Sequence, residues 1–328
     1  MNNLDKIIAI RNLSTSFLTE DRTEVQILRG INLDVYRGEF FGVVGESGSG
    51  KSVTAKTIMR LLPSPPAKVL GGEILYNGEN ILNFSEKKMR TIRGNKISMV
   101  FQEPMTALNP VYTCGEQVIE SIVLHQKVSR SKALEIAVEM FERVGIPNPE
   151  RRVKSYPHEL SGGMRQRIII AMALCCNPEL LIADEPTTAL DTTVQAQVLE
   201  LIKKLQKEMN MTVYYITHDL AVVAETCDRV AVMYGGQIME IAEVHEIFRN
   251  PLHPYTRGLM QAMPKMDTKQ ERLYNIQGNV PSFFNMPKGC PFSTRCEYAT
   301  PRCFESTPED IEVRDGHRVR CWQVCNSI

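Results

Sequence analysis

The chain has 328 residues, 43% of them hydrophobic and 23% charged, and its 38 lysines and arginines balance 38 aspartates and glutamates. This length is long for one domain and short for two full ones, and the zero net charge argues against nonspecific nucleic-acid binding outside local basic patches. No run approaches the roughly 20 apolar residues that span a bilayer, and the opening Met-Asn-Asn-Leu-Asp-Lys lacks a signal-peptide core, so the expected setting is the cytosol, with any membrane role supplied by a partner.

Ile7–Ile10 and Ile31–Val35 read as strands of a β-rich N-terminal layer. Phe40–Val44 is a short apolar strand that runs into Gly45-Glu46-Ser47-Gly48-Ser49-Gly50-Lys51-Ser52, with a helix over Lys51–Leu62 behind it. A strand before and a helix after are the context that makes such a glycine-rich run a phosphate loop. Its backbone N–H groups turn inward as an anion nest, and the helix dipole adds positive potential. Lys51 would reach the β- and γ-phosphates of ATP, and the Ser52 hydroxyl would bind Mg²⁺.

Gly72–Gly78 holds a strand and an Asn-Gly turn, the mark of a hairpin. Ile97–Phe101 is a buried strand ending at Gln102. Helical periodicity fills residues ~115–145, with Val118, Ile122, Ala133, Ile136, Ala137, Met140 and Val144 on apolar faces. Ser161–Cys176 reads as a helix, Leu180–Ala183 as a strand, Val194–Lys207 as a helix and Thr212–Thr217 as a strand. Strands alternating with helices imply an α/β core with a largely parallel sheet.

Two further points carry chemistry. The apolar strand from Leu180 ends in Asp184-Glu185, where ligands of α/β sheets bind. Asp184 suits an Mg²⁺ partner, and Glu185 suits the base that polarises an attacking water. Ser161-Gly162-Gly163 opens its own helix, so small residues leave N–H groups and a hydroxyl facing outward as a second anion site.

Near Pro251–His253 the composition shifts toward Pro, Cys and aromatics, which places a boundary near residue 250: a first domain over 1–250 and a C-terminal region over 251–328. Five of the nine cysteines fall in that tail. Cys290, Cys296, Cys303 and Cys321 follow a C-x5-C-x6-C-x17-C spacing, with Cys325 able to stand in for Cys321. Four thiolates can bind tetrahedral Zn²⁺ or a [4Fe–4S] cluster, and they can also stay uncommitted. Structural zinc usually uses tighter C-x2-4-C pairs. Cys114, Cys175, Cys176 and Cys227 lie in apolar contexts and read as core thiols.

The phosphate loop, Leu160-Ser161-Gly162-Gly163-Met164, Asp184-Glu185 and the following Pro186–Asp191 occur in an order that resembles the ABC (ATP-binding cassette) ATPases. The resemblance implies a P-loop NTPase fold of the ABC nucleotide-binding type: a RecA-like core, an antiparallel β subdomain and a helical subdomain over about 103–175, here followed by a small Cys-rich C-terminal extension. It implies that Gln102 is the glutamine that senses Mg²⁺ and the attacking water, with the Glu103-Pro104 turn linking it to the helical subdomain. His218 would contact the γ-phosphate, and an aromatic would stack on adenine, with Phe17 and Tyr36 as the candidates. Ser161, Gly162, Gly163, Met164 and Asp191 would serve the ATP held by a second subunit; Met164 departs from the family's commoner Gln.

Asn250-Pro-Leu-His-Pro-Tyr-Thr-Arg-Gly-Leu259, Gly278-Asn-Val-Pro281 and Cys290-Pro-Phe-Ser-Thr-Arg-Cys296 resemble the oligopeptide/dipeptide branch of ABC importers, and the chain looks like the D-type ATPase subunit of that branch. The branch implies a [4Fe–4S] cluster on Cys290, Cys296, Cys303 and Cys321. It also implies two transmembrane permease subunits, a second homologous ATPase, an external substrate-binding protein, no nucleic acid, and a place on the cytoplasmic face of the membrane. A groove beside Gln102 would receive a short helix of the permease. Related importers carry nickel, glutathione or other small solutes, and soluble ABC ATPases of DNA repair or ribosome work form a separate class.

Overall fold

The strands of the computed structural model are β1 Lys6–Leu18, β2 Glu24–Tyr36, β3 Phe40–Val44, β4 Ala67–Tyr76, β5 Glu79–Asn80, β6 Ile97–Val100, β7 Leu180–Asp184, β8 Thr212–Thr217, β9 Arg229–Tyr234, β10 Gln237–Glu243, β11 Ile311–Arg314 and β12 His317–Val319. The structure describes residues 5–102, 107–188, 190–263 and 274–325, so the turn expected at Glu103-Pro104 lies outside the described residues. The chain divides into two compact units: Met1–Val35, Glu39–Leu82 and Ile216–Ile328 form unit 1, while Tyr36–Gly38 and Asn83–Tyr215 form unit 2.

In unit 1 one sheet runs β2-β1-β4-β5, with β4 antiparallel to both β1 and β5. β1 and β2 are 13 residues each, far longer than their apolar halves predict. Their outer halves carry Ser, Thr, Asn and Arg, and a register shift between Arg11 and Ser14 breaks the alternation that would reveal the strand. Asn77 and Gly78 both take positive φ, 49° and 83°, as the tight hairpin turn between β4 and β5 requires.

Unit 1 also holds the strand run β11-β12-β10-β9-β3. β3 pairs parallel with β9, Gly42 lying opposite Val230 and Val43 opposite Ala231. β9, β10, β12 and β11 then pair antiparallel in succession. Residues from beyond position 250 therefore extend a sheet that begins in the N-terminal quarter of the chain. A buried carboxylate fixes this attachment. Glu240 on β10 is fully buried and accepts the backbone N–H groups of Leu252 at 2.7 Å and His253 at 3.0 Å, with Nε2 of His317 on β12 at 2.8 Å. Burial opposes its ionisation, yet the bonds from His317, Thr256 and the two amides hold its carboxyl below the ordinary range.

Unit 2 carries the run β8-β7-β6, with β6 and β7 parallel from Ile97 opposite Leu180 to Val100 opposite Ala183. Every residue of β7 is buried, as expected of a short apolar strand covered on both faces. The helical stretch expected over ~115–145 is two helices, Cys114–Gln126 and Arg130–Arg143. Lys127 turns left-handed at φ 55°, and Ser129 caps the second helix by accepting the N–H of Lys132. Helices Gly162–Leu174 and Thr192–Glu208 complete the unit's main scaffold.

Candidate nucleotide site and cysteine cavity

In unit 1 the fully buried β3 delivers the chain into the phosphate loop. Gly45 sits at φ 153°, and a Cβ there would lie 2.1 Å from the carbonyl oxygen of Met233 on β9, so only glycine passes. The turn closes with the Ser49 N–H donating to the Glu46 carbonyl at 3.1 Å, and the Gly236 N–H holds the Ser49 carbonyl at 3.0 Å. Gly50, at φ 101°, starts the helix Lys51–Ile58. The Lys51 ammonium curls back and donates to the carbonyls of Gly45 at 2.7 Å and Glu46 at 3.1 Å. Ser47 and Gly48 lie exposed at the outer tip of this loop.

Two residues of the tail motifs, neither assigned a role from the sequence, touch this loop. The Tyr255 hydroxyl accepts the Glu46 N–H at 2.9 Å, and the Arg295 guanidinium donates to the Glu46 carboxylate at 2.8 Å.

Unit 2 gathers a second set. β7 ends at the buried Asp184, and Glu185 follows at φ 46°, a left-handed conformation that is sparsely populated for a residue with a side chain. The Glu185 carboxylate accepts from Gln102 Nε2 at 3.2 Å and from the Thr188 hydroxyl at 3.1 Å, both on Oε2. Gln166, fully buried in the helix Gly162–Leu174, donates to the Pro186 carbonyl and pins the turn on the far side of Glu185. Burial, and then the charge of Asp184, raise the Tyr214 hydroxyl well above its ordinary value, so it stays protonated. Thr188 and Gln166 were not picked out by sequence, because their role depends on how the turn after Glu185 folds back.

His218 is exposed at the end of β8, in unit 1 with the phosphate loop. Asp219 next to it caps the helix Leu220–Thr226 by accepting the amides of Ala221 and Val222. Phe17 is half-buried on β1, opposite Ala67 of β4, in the same unit as the loop, whereas Tyr36 ends β2 and falls in unit 2.

Ser161 is the N-cap of the helix Gly162–Leu174, its hydroxyl accepting the Met164 N–H at 3.4 Å. Ser161 and Gly162 are exposed. A Cβ on Gly162 would meet nothing nearer than Leu190 at 4.0 Å, while one on Gly163 would lie 3.0 Å from Val194. Val194 in turn donates its N–H to Asp191, the cap of the next helix, at 2.9 Å. Within unit 2 the two helix starts at Ser161 and Asp191 are therefore neighbours, with donors at the first left open to solvent.

The tail cysteines converge. Cys290, Cys296, Cys303 and Cys321 line one small cavity with His253 and Trp322, whereas Cys325 is not among its lining residues. Gly289 makes this possible: its amide bonds to Phe304, the Cys290 amide bonds to Cys303, and a Cβ on Gly289 would lie 2.3 Å from the Cys303 carbonyl oxygen. Burial pushes the Cys290 thiol up to about 12 and raises Cys296 and Cys321 as well. Among the described residues, no three His, Cys, Asp or Glu side chains are gathered closely enough to hold a single metal ion. Cys114, Cys175, Cys176 and Cys227 are buried, as core thiols should be.

Two family models match the chain. The ABC transporter family matches residues 28–188, and the oligopeptide/dipeptide transporter C-terminal region matches residues 239–303. The chain is 52% identical over 320 residues to a probable peptide ABC transporter ATP-binding protein of Sinorhizobium fredii, covering 97% of this chain and 95% of that protein. It is 50% identical to the dipeptide transport ATP-binding protein DppD of Bacillus subtilis, with 97% and 95% covered, and 50% identical to the oligopeptide transport protein OppD of the same organism, with 98% and 90% covered. Among solved structures it resembles the ATP-binding cassette MJ0796 in a dimeric post-hydrolysis state with ADP and Pi, at 28% identity and a TM-score of 0.64, covering 72% of this chain and 98% of that one. The chain belongs to the ABC transporter family, as an ATP-binding subunit of its oligopeptide/dipeptide branch.

Proposed function

We propose that this chain hydrolyses ATP to power the uptake of dipeptides or oligopeptides, working by closure and reopening of a dimer. The observation that carries the ATPase chemistry is Glu185, whose left-handed backbone at the end of β7 and whose bonds from Gln102 and Thr188 fix the direction of its carboxylate. Glu185 polarises the attacking water, Gln102 orients that carboxylate, and His218 contacts the γ-phosphate. The amides of Gly45 through Ser52 cradle the phosphates, with Lys51 moving from the Gly45 and Glu46 carbonyls to the β- and γ-oxygens. Mg²⁺, held by Ser52, Gln102 and Asp184, would neutralise charge on the phosphate oxygens. Phe17 stacks on adenine. Ser161, Gly162, Gly163, Met164 and Asp191 serve the ATP of the facing subunit, whose γ-phosphate meets a helix N-terminus.

In functional terms residues 1–250 are the nucleotide-binding domain, with a RecA-like core, an antiparallel β subdomain and a helical subdomain near 103–175, and residues 251–328 are a Cys-rich extension. The partners are two permease subunits, a second homologous ATPase and, indirectly, an external substrate-binding protein, at the cytoplasmic face of the membrane. Among the described residues no helix is long and apolar enough to cross a membrane. In unit 2, Phe101, Val111, Tyr112 and Leu124 are exposed apolar residues, Val111 and Leu124 at 71% and 69%, and they offer the permease helix a docking surface.

Four thiols line one cavity, and four thiolates are the donor set that a [4Fe–4S] cluster takes. Cys290, Cys296, Cys303 and Cys321 would hold a [4Fe–4S] cluster, which lies outside the nucleotide chemistry and would act as a structural staple. Protein purified without oxygen should be brown and contain iron and sulfide at about four each per chain; a colourless preparation carrying zinc overturns the assignment. For the ATPase, Glu185→Gln should lower turnover at least about a hundredfold while nucleotide affinity is kept. Unchanged phosphate release would remove Glu185 from its role.

A further inference from the structure

Glu46 is the second residue of a loop built to receive a polyanion, and its carboxylate works against that task. Its side chain is 27% exposed and paired at 2.8 Å with Arg295, which is only 5% exposed. Every branch of the guanidinium is committed: Nε donates to the Gln277 carbonyl at 3.0 Å, Nη2 to the Ile276 carbonyl at 3.1 Å, and Nη1 to the Tyr234 hydroxyl at 3.2 Å as well as to Glu46. The ring of Phe292 lies 5.9 Å from the charge. The arginine is thus set in place by the tail, with its cation aimed at the phosphate loop. On the other side, the Tyr255 hydroxyl takes the Glu46 amide, which fixes the backbone of the same residue. Arg295 comes from the segment between Cys290 and Cys296, so the cysteine-bearing tail supplies a countercharge to the nucleotide site.

We propose that Arg295 is a positioning residue for nucleotide binding: it neutralises Glu46 and holds that carboxylate away from the phosphates. This rests on the reading that the loop binds a nucleoside triphosphate. Without Arg295, the Glu46 carboxylate would repel the polyanion; like unit charges roughly 10 Å apart at an effective dielectric of about 20 weaken binding on the order of tenfold, and added salt screens the effect. A clasp that merely ties the tail to the loop would show neither the salt dependence nor rescue by removal of the carboxylate.

The test is a titration of the full chain, purified without oxygen, with a fluorescent ATP analogue and Mg²⁺ at low and high salt, alongside melting without nucleotide. Arg295→Gln should raise Kd about tenfold at low salt, with a smaller deficit at high salt. The double variant should return to within about twofold of Glu46→Gln, the reference in which the carboxylate is already absent. A Kd for Arg295→Gln within about twofold of the unaltered chain, or a loss that persists in the double variant, overturns the proposal. Should Arg295→Gln not fold, the double variant, which leaves no unpaired charge, decides alone: near-normal affinity supports charge compensation and a tenfold loss refutes it. Failure of the unaltered chain to bind the analogue is a separate result, which defeats the reading of the loop itself.

Discussion

Glu185 stands where an apolar strand gives way to one left-handed residue, and the two donors on its Oε2 come from opposite directions along the chain, Gln102 from before β7 and Thr188 from after it. Such a clamp selects a side-chain rotamer rather than binding substrate. Gln102→Ala should therefore lower the turnover of the assembled importer roughly ten- to hundredfold, with a smaller rise in Kd for ATP and Mg²⁺ from the lost metal ligand. Phosphate release and calorimetric titration separate the two quantities, and a matching rise in Kd would assign Gln102 to binding instead. Gln102 and Glu185 were legible because their residue types fall at strand ends in a recognisable order. Thr188 and Gln166 were not, since a threonine three residues after a glutamate acquires meaning only once the Pro186 carbonyl has been drawn onto the helix from Gly162.

In the proposed function helix starts receive the anions, and at the Ser161 start fold and function would then have opposite electrostatic preferences. An acidic side chain in the first turn of a helix is favourable by about 0.3–1 kcal/mol. Gly162 also has open space where a side chain would project, with Leu190 at 4.0 Å as its nearest neighbour. Gly162→Asp should thus melt at or slightly above the temperature of the unaltered chain, yet turnover should fall at least tenfold because the new carboxylate meets the facing subunit's γ-phosphate. Loss of turnover accompanied by a lowered melting temperature would point to misfolding rather than to blocked docking. Sequence periodicity located this helix and Thr192–Glu208 to within two residues, ran the helix after the phosphate loop four residues past Ile58, and did not pick out Glu86–Ile92, Leu220–Thr226 or Pro254–Ala262. It missed the break at Lys127–Ser129, because the apolar spacing on either side of the break stays in phase for a helix. It also caught only about a third of β1 and β2, where polar residues and, in β1, a register shift interrupt the alternation.

At the scale of the molecule, the tail is where sequence and structure part furthest. Its cysteine spacing pointed to a common site, and one cavity gathers those four residues. Nothing in the spacing says that β12 joins β10 or that Arg295 reaches Glu46, because both contacts are made between residues separated by more than 75 positions. On the proposed reading the phosphate loop and the exposed helix start at Ser161 would each bind an anion from one side only, so that a complete site would need a second subunit and ATP binding would be linked to association. Self-association would require one surface to be its own complement about a two-fold axis. If the natural partner is a distinct homologue, the lone chain meets that demand poorly. Glu185→Gln with Mg²⁺ and ATP removes hydrolysis as a route to reopening, so any dimer the chain can form should persist through size exclusion with light scattering. The expected species is a monomer for the chain alone and a 1:1 complex once the second ATPase is added. A stable dimer of the lone chain under these conditions would mean that both halves of each ATP site come from this one sequence.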